Sequence, residues 1–198
     1  MKTPIHKTHF HFAVCKPYGY LSQFISNEQR KKKQHKFLGE LANFPEGTMA
    51  VGRLDRDSEG LLLLTTDGKK SYEILSAKVE KEYYAQVDGC ITNEAVKQLS
   101  QGVVITVDGK DYTTKPCNVQ LLNPSKLTLP IRAKKIRDER HGPTSWIAIT
   151  LREGKFRQVR KMTAAVGFPT LRLVRVRIGQ IHLNDMQAGE VIELPDFF

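Results

Sequence analysis

Cysteine is scarce in this chain and is nowhere spaced for a metal. Cys15, Cys90 and Cys117 are the only three among 198 residues. The number is odd and no two lie within zinc-ligand spacing, which argues against a disulfide framework or a zinc site and favours a reducing compartment, the cytoplasm. Long apolar runs are missing as well. The four leucines at 61–64 form the longest purely aliphatic stretch, far too short to span a bilayer. The opening Met1-Lys2-Thr3-Pro4 lacks the apolar stretch of a signal peptide. There is no glycine-rich phosphate loop and no internal repeat. Acidic residues are in deficit: 21 aspartates and glutamates against 31 lysines and arginines leave a net charge of +10. A folded domain this basic, with an isoelectric point near 9.6, favours a polyanionic partner. Ribosomal proteins, transcription factors and RNA-modifying enzymes fit that balance equally. What is present is enough to fold: 40% of residues are apolar, and the length suits one domain, 1–198, divided into two lobes.

Hydrophobic periodicity and turn residues divide the chain. Strands are expected at 10–14, 61–65, 83–87, 117–122, 146–151, 171–178 and 191–194, with a hairpin of 103–107 and 110–115 around Asp108-Gly109. Helices are expected at 69–77, at 94–101 behind a Thr92 or Asn93 cap, and at 156–166, closed by Gly167. Asp67-Gly68 reads as a turn. Strands outnumber helices and are not in strict βαβ order, so the fold class is α+β, with a mixed, largely antiparallel sheet flanked by helices.

Three clusters carry candidate chemistry. In the run 52–60, GRLDRDSEG, three carboxylates and two arginines crowd into seven residues directly before an apolar strand. Loops held by rigid strands are where catalytic groups sit, although spacing alone fits a solvated turn of surface ion pairs, or a carboxylate pair for acid–base work, just as well. In 153–162, Arg157, Arg160 and Lys161 fall at i, i+3 and i+4 on a helix face opposite the core residues. Such a face is ordinarily solvated, but one guanidinium fork could hold a buried carboxylate ionised and aimed. Tyr83 and Tyr84 open a strand; a tyrosine pair packs a sheet, or lays one ring over a flat base with its hydroxyl free for proton transfer. Two basic segments, 30–36 and 134–140, are solvated loops or phosphate contacts. His6, His9 and His11 are read as part of a frayed, solvated terminus rather than a metal site.

The run GRLDRDSEGLLLLTTDG at 52–68 resembles the catalytic motif of the RsuA-type pseudouridine synthases. In the family's order, FAVCKPYGYLSQ at 12–23 resembles its first motif, KEYYAQV at 81–87 its tyrosine motif and REGKFRQVRKM at 152–162 its arginine motif. The segments at 129–132, 143–146 and 167–175 are similar to a branch acting on the large ribosomal subunit. The resemblance implies the pseudouridine synthase fold around a basic cleft, and isomerisation of a uridine in structured RNA. It implies Asp55 as the catalytic carboxylate, Arg160 as the arginine paired with it, Tyr83 as the ring stacked on the flipped uracil, and Arg53 as the arginine entering the RNA helix where the base left. Further RNA contacts are expected at Lys16, Lys31, Lys32, Lys33, Lys36, Arg157 and Lys161. Asp57 and Glu59 belong to the motif and are expected to fix the loop. Many family members begin with an S4 RNA-binding domain; only 15 residues precede Lys16 here, so no S4 domain is expected.

No cofactor or metal is expected, because the base is at once leaving group and nucleophile. The expected partner is structured RNA, 23S ribosomal RNA foremost, with transfer RNA an alternative, bound by a monomer. Asp55 serves whether the sugar or the ring is attacked or a C2′ proton is removed. The rivals are a non-catalytic RNA-binding or ribosome-assembly protein, and a glycoside hydrolase using a carboxylate pair. The synthase reading calls for Asp55 and Arg160 in contact.

Overall fold

Four consecutive leucines do not alternate in polarity, so a strand made of them has to be covered on both faces. The computed structural model of the protein describes residues 9–25, 35–76, 79–132, 134–136 and 139–197, and places the leucines in β5 (Glu59–Thr65), buried throughout. Before it come β1 (His11–Lys16), β2 (Tyr20–Leu21), β3 (Lys36–Phe37) and β4 (Met49–Ala50). After it come α1 (Gly68–Ser76), β6 (Lys81–Asp88), α2 (Asn93–Gln101), β7 (Val104–Val107), β8 (Lys110–Thr113) and β9 (Asn118–Leu122). The chain then forms β10 (Thr144–Leu151), α3 (Gln158–Ala165), β11 (Thr170–Ile178), β12 (Ile181–His182) and β13 (Val191–Leu194).

One sheet runs β13-β1-β5-β11-β6-β10-β9, with β4 beside β5 and β12 beside β11. Its pairs are antiparallel apart from β5 and β11. This is the mixed, largely antiparallel α+β sheet that the strand pattern implied. Side chains of β5 alternate between two cores. Leu61 and Leu63 join Ile74 of α1, while Leu62 and Leu64 join Phe12, Leu38 and Leu54. A third core, under α2 and α3, gathers Leu99, Ile147, Ile149, Val159 and Met162.

Most helix ends and turns follow local chemistry. Thr92 caps α2 by accepting from the Ala95 amide at 3.2 Å. The β7–β8 hairpin turns through Asp108 and Gly109, both at positive φ, as a two-residue turn requires. Asp67 is more than a turn residue: its Oδ1 accepts from the Lys69 and Lys70 amides at 2.9 and 3.1 Å and caps α1. His11 departs from the solvated terminus expected for it. It is buried in β1, with Nδ1 2.9 Å from Thr65 Oγ1 and its ring edge-on to Phe197. His6 lies outside the described residues.

Gly60 fixes how closely β5 approaches β11. At φ +97, a Cβ there would stand 2.3 Å from the Arg175 carbonyl oxygen, so only glycine allows this parallel pairing. Beside it, Glu59 is 3% exposed and shared by two arginines. Arg172 Nη2 lies 2.9 Å from Oε2 and Arg132 Nε 2.9 Å from Oε1.

Lys16 corrects an expectation. The family resemblance implies an RNA contact for it, yet it is 0% exposed, and its amine donates to the Pro17 and Tyr20 carbonyls at 3.0 and 2.8 Å. No phosphate reaches it there; the ammonium is spent closing the loop after β1. Burial pulls its pKa from 10.5 down to about 8, against the attraction of Glu59 and Asp57. Between those two values the unfolded chain binds the extra proton, so this lysine makes stability rise with pH, by up to about 1.4 kcal/mol per pH unit. The neighbouring Cys15 thiol, pushed up to about 12 by burial, works in the opposite direction only above pH 9. The expected result is that urea unfolding shows wild type gaining about 1 kcal/mol on Lys16→Met between pH 8 and 9. A constant difference would mean that the amine is not desolvated.

Candidate active site

The loop 51–58 joins β4 to β5 and is held at several backbone points. Ser22 Oγ accepts from the Leu54 amide at 2.9 Å and donates to the Leu54 carbonyl at 2.8 Å. The Gly19 amide donates to the Arg56 carbonyl at 2.8 Å, and a turn closes from the Ser58 amide to the Asp55 carbonyl at 3.1 Å. The segment 17–23 therefore acts as a bracket for the loop. Ser22 is a positioning residue that the sequence offered only as part of a motif, since a serine 32 residues from its partner carries no signature of its own.

Each carboxylate of the run meets a different fate. Asp57 takes a bidentate fork from Arg157, with both bonds at 2.9 Å, and has Arg160 Nε 3.5 Å from Oδ2. Burial pushes the Asp57 carboxyl up, but the Arg157 fork and the charges of Arg160 and Arg157 outweigh it and hold the pKa below the ordinary value. Glu59 is consumed by Arg172 and Arg132. Asp55 alone keeps its acceptors: among the described residues its carboxylate receives no hydrogen bond, and its ion-pair partner is Arg157 Nη1 at 3.6 Å.

The expected pairing of Asp55 with Arg160 is therefore corrected to Arg157. The physical reason lies in the backbone. Helix α3 begins at Gln158, not 156, and Arg157 precedes it in the left-handed region at φ 54. Arg157, Arg160 and Lys161 then do not share a helix face. Arg157 swings toward the loop, whereas Arg160 donates to the Asp57 carbonyl at 2.8 Å and the Thr170 carbonyl at 3.3 Å. It clamps the loop backbone to the start of β11. Lys161 donates to the Thr106 carbonyl at 2.7 Å, tying α3 to the β7–β8 hairpin.

Asp55, Tyr83 and Arg157 line one cavity of about 660 Å³, floored by Leu63, Ile74, Leu173 and Ile178. Tyr83 enters from β6, and its hydroxyl makes no hydrogen bond among the described residues. Two cations of this cavity were not singled out from sequence as site residues. Arg175 donates from Nε to the Leu61 carbonyl at 2.7 Å, and its guanidinium carbon lies 6.0 Å from the centre of the Tyr83 ring. Lys81, lowered in pKa by burial and then by Arg175, donates to the Val79 carbonyl at 2.9 Å. The interleaved arginines of 172–177 were the available signal. Arg53 is exposed at the mouth of the same cavity. Lys36 is exposed, with its amine 5.5 Å from the centre of the Tyr20 ring, while Lys31, Lys32 and Lys33 lie outside the described residues. In the segment 129–136, Arg132 lies over Tyr18 at 4.2 Å and Lys134 at 5.5 Å.

Such an arrangement can do specific chemistry. One carboxylate with free lone pairs, one nearby guanidinium and one phenol face a pocket with an apolar floor and cationic walls. A glycosidase needs a second unengaged carboxylate beside the first, and Asp57 is occupied by its arginine fork.

Residues 10–165 match the model of a family described as RNA pseudouridylate synthase. Over 183 residues, 90% of this chain and 71% of the relative, the sequence is 41% identical to the ribosomal large subunit pseudouridine synthase E of Vibrio parahaemolyticus serotype O3:K6. It is 42% identical over 173 residues, 85% of each chain, to the protein of that name from Xanthomonas axonopodis pv. citri. A solved pseudouridylate synthase shares the fold, with a TM-score of 0.73 over 94% of this chain and 70% of that one, at 24% identity. With most of its length matched by the family model and by relatives bearing one name, this chain belongs to the RNA pseudouridylate synthase family and is an isomerase.

Proposed function

We propose that this protein converts a specific uridine of large-subunit (23S) ribosomal RNA to pseudouridine, with Asp55 as the catalytic carboxylate. The observation that carries the reading is the division of labour among the acids: Asp57 and Glu59 are bound up by arginines, and Asp55 faces the cavity with its acceptors free. The names of the relatives support ribosomal RNA as the substrate. A cytoplasmic setting accords with the described helices, none of which is long and apolar enough to cross a membrane.

The uridine leaves the RNA stack and enters the cavity, at a cost of a few kcal/mol. Exposed Arg53 offsets that cost by meeting the backbone at the mouth. Asp55 then acts as nucleophile or removes the C2′ proton. The N1–C1′ bond breaks, the base turns and C5 bonds to C1′. The C5 proton departs and N1 gains one, so the formula is unchanged and no external group enters. Arg157, 3.6 Å from the carboxylate, holds Asp55 in position. Tyr83, its hydroxyl unspent, carries the C5 proton. The test is to map pseudouridine in ribosomal and transfer RNA from cells with and without the gene. Loss of one ribosomal site supports the reading, and loss confined to transfer RNA would redirect it.

Purified Asp55→Asn is expected to bind RNA and to convert none; appreciable turnover would remove Asp55 from the reaction. Arg157→Gln and Arg160→Ala should separate. The first should stay folded and lose at least about a hundredfold in turnover, the scale of removing one charge-stabilising donor. The second should lose about 1.5–3 kcal/mol of stability by freeing the loop from β11, as loss of a charged hydrogen bond does. Equal turnover by Arg157→Gln and wild type would return the Asp55 partnership to Arg160. Tyr83→Phe keeps the ring and drops the hydroxyl, so base detachment should proceed while pseudouridine release stalls in single-turnover assays. Wild-type kinetics would leave Tyr83 a stacking role only.

A further inference from the structure

A second cavity, of about 720 Å³, adjoins the first. The two share a wall made of the 52–55 loop and the pair Phe156 and Arg157. Their linings differ. The first is floored by aliphatic side chains of the sheet; the second is edged by Tyr18, Ser22, Gln23 and Arg56, with the cations of Arg132 and Lys134 over Tyr18. At the shared rim, Phe156 is 62% exposed and packs into none of the hydrophobic cores. Its ring has the Lys161 amine 5.3 Å from its centre. It immediately precedes the left-handed Arg157, and local strain of that kind is held at functional sites by the surrounding structure.

An exposed phenyl ring among arginines beside a nucleotide-sized cavity is what a base needs for stacking and a phosphate for charge neutralisation. Consecutive nucleotides joined by one phosphate must occupy adjoining sites, and Arg53 stands exposed on the wall between these two. We propose that the second cavity receives the nucleotide next to the target uridine, its base stacked on Phe156 and its linking phosphate against Arg53. The enzyme then reads a neighbour of its target as well as the target itself. This inference rests on the functional reading above.

The test is a double-mutant cycle on an RNA fragment that wild type converts, with an abasic site placed at each neighbour of the uridine in turn. One abasic position should lower kcat/KM by roughly tenfold to a hundredfold with wild type, the scale of one base–aromatic stack. Phe156→Ala should lose a similar factor on intact RNA and nothing further on that abasic RNA. Phe156→Trp should restore most of the rate. The exposed position leaves folding alone, so the thermal midpoint of Phe156→Ala should match wild type. Losses that multiply, or no loss with either change, overturn the inference while the functional reading stands. A wild type that converts no uridine of ribosomal RNA overturns both.

Discussion

Carboxylates and guanidinium groups meeting at the foot of β5 are the constraint on which the site depends. Asp55, Asp57 and Glu59 face Arg157, Arg160, Arg172 and Arg132 within 4 Å. Glu59, Arg172 and Arg160 are well shielded from water, where an unpaired charge costs several kcal/mol and a paired one roughly breaks even. Such a cluster adds little net stability, but it penalises every arrangement that leaves one member alone. It therefore selects one conformation for the loop from loop 51–58 into β5. The pairs also join segments distant in sequence: Glu59 reaches residues 132 and 172, and Asp57 reaches 157 and 160.

Backbone contacts complete what the charges begin. Ser22 holds Leu54 by amide and carbonyl together, Gly19 holds Arg56, and Arg160 holds the Asp57 carbonyl. Leu54 itself is buried in a core. The loop is thereby pinned at several backbone atoms, the kind of support that keeps a side chain close to one position. Gly60 sets the distance to β11 on the far side, and through β11 the placement of Arg175 beside Tyr83.

The cost of this arrangement is a cavity with an excess of positive charge over its one free acid. Arg175, Lys81 and Arg157 all line it with Asp55. The crowded cations repel one another, and a bound polyanion turns that unfavourable balance into binding energy. A basic composition would not by itself produce this balance, because it depends on which acids are already neutralised by neighbours.

Local rules sufficed for the parts of this protein that depend on near neighbours. The apolar run at 61–64 determined a strand covered on both faces, Asp108-Gly109 determined a hairpin, and Thr92 determined where α2 begins. The four motif segments pointed to the family. Partnerships inside the site were beyond the sequence, since a salt bridge depends on backbone direction in space rather than on spacing. Arg157 and Arg160 are three residues apart and looked interchangeable on one helix face; the left-handed backbone at Arg157 separates their directions and gives Asp55 to the first and the Asp57 carbonyl to the second. In the sequence Lys16 reads as an RNA contact, and only the packing of β1 with the loop after it decided that its charge is buried against carbonyl oxygens. Composition determined that the chain carries excess positive charge; the tertiary fold decided which of those charges are spent inside the protein and which remain for RNA, because burial and pairing are set by segments that meet only when the sheet has formed.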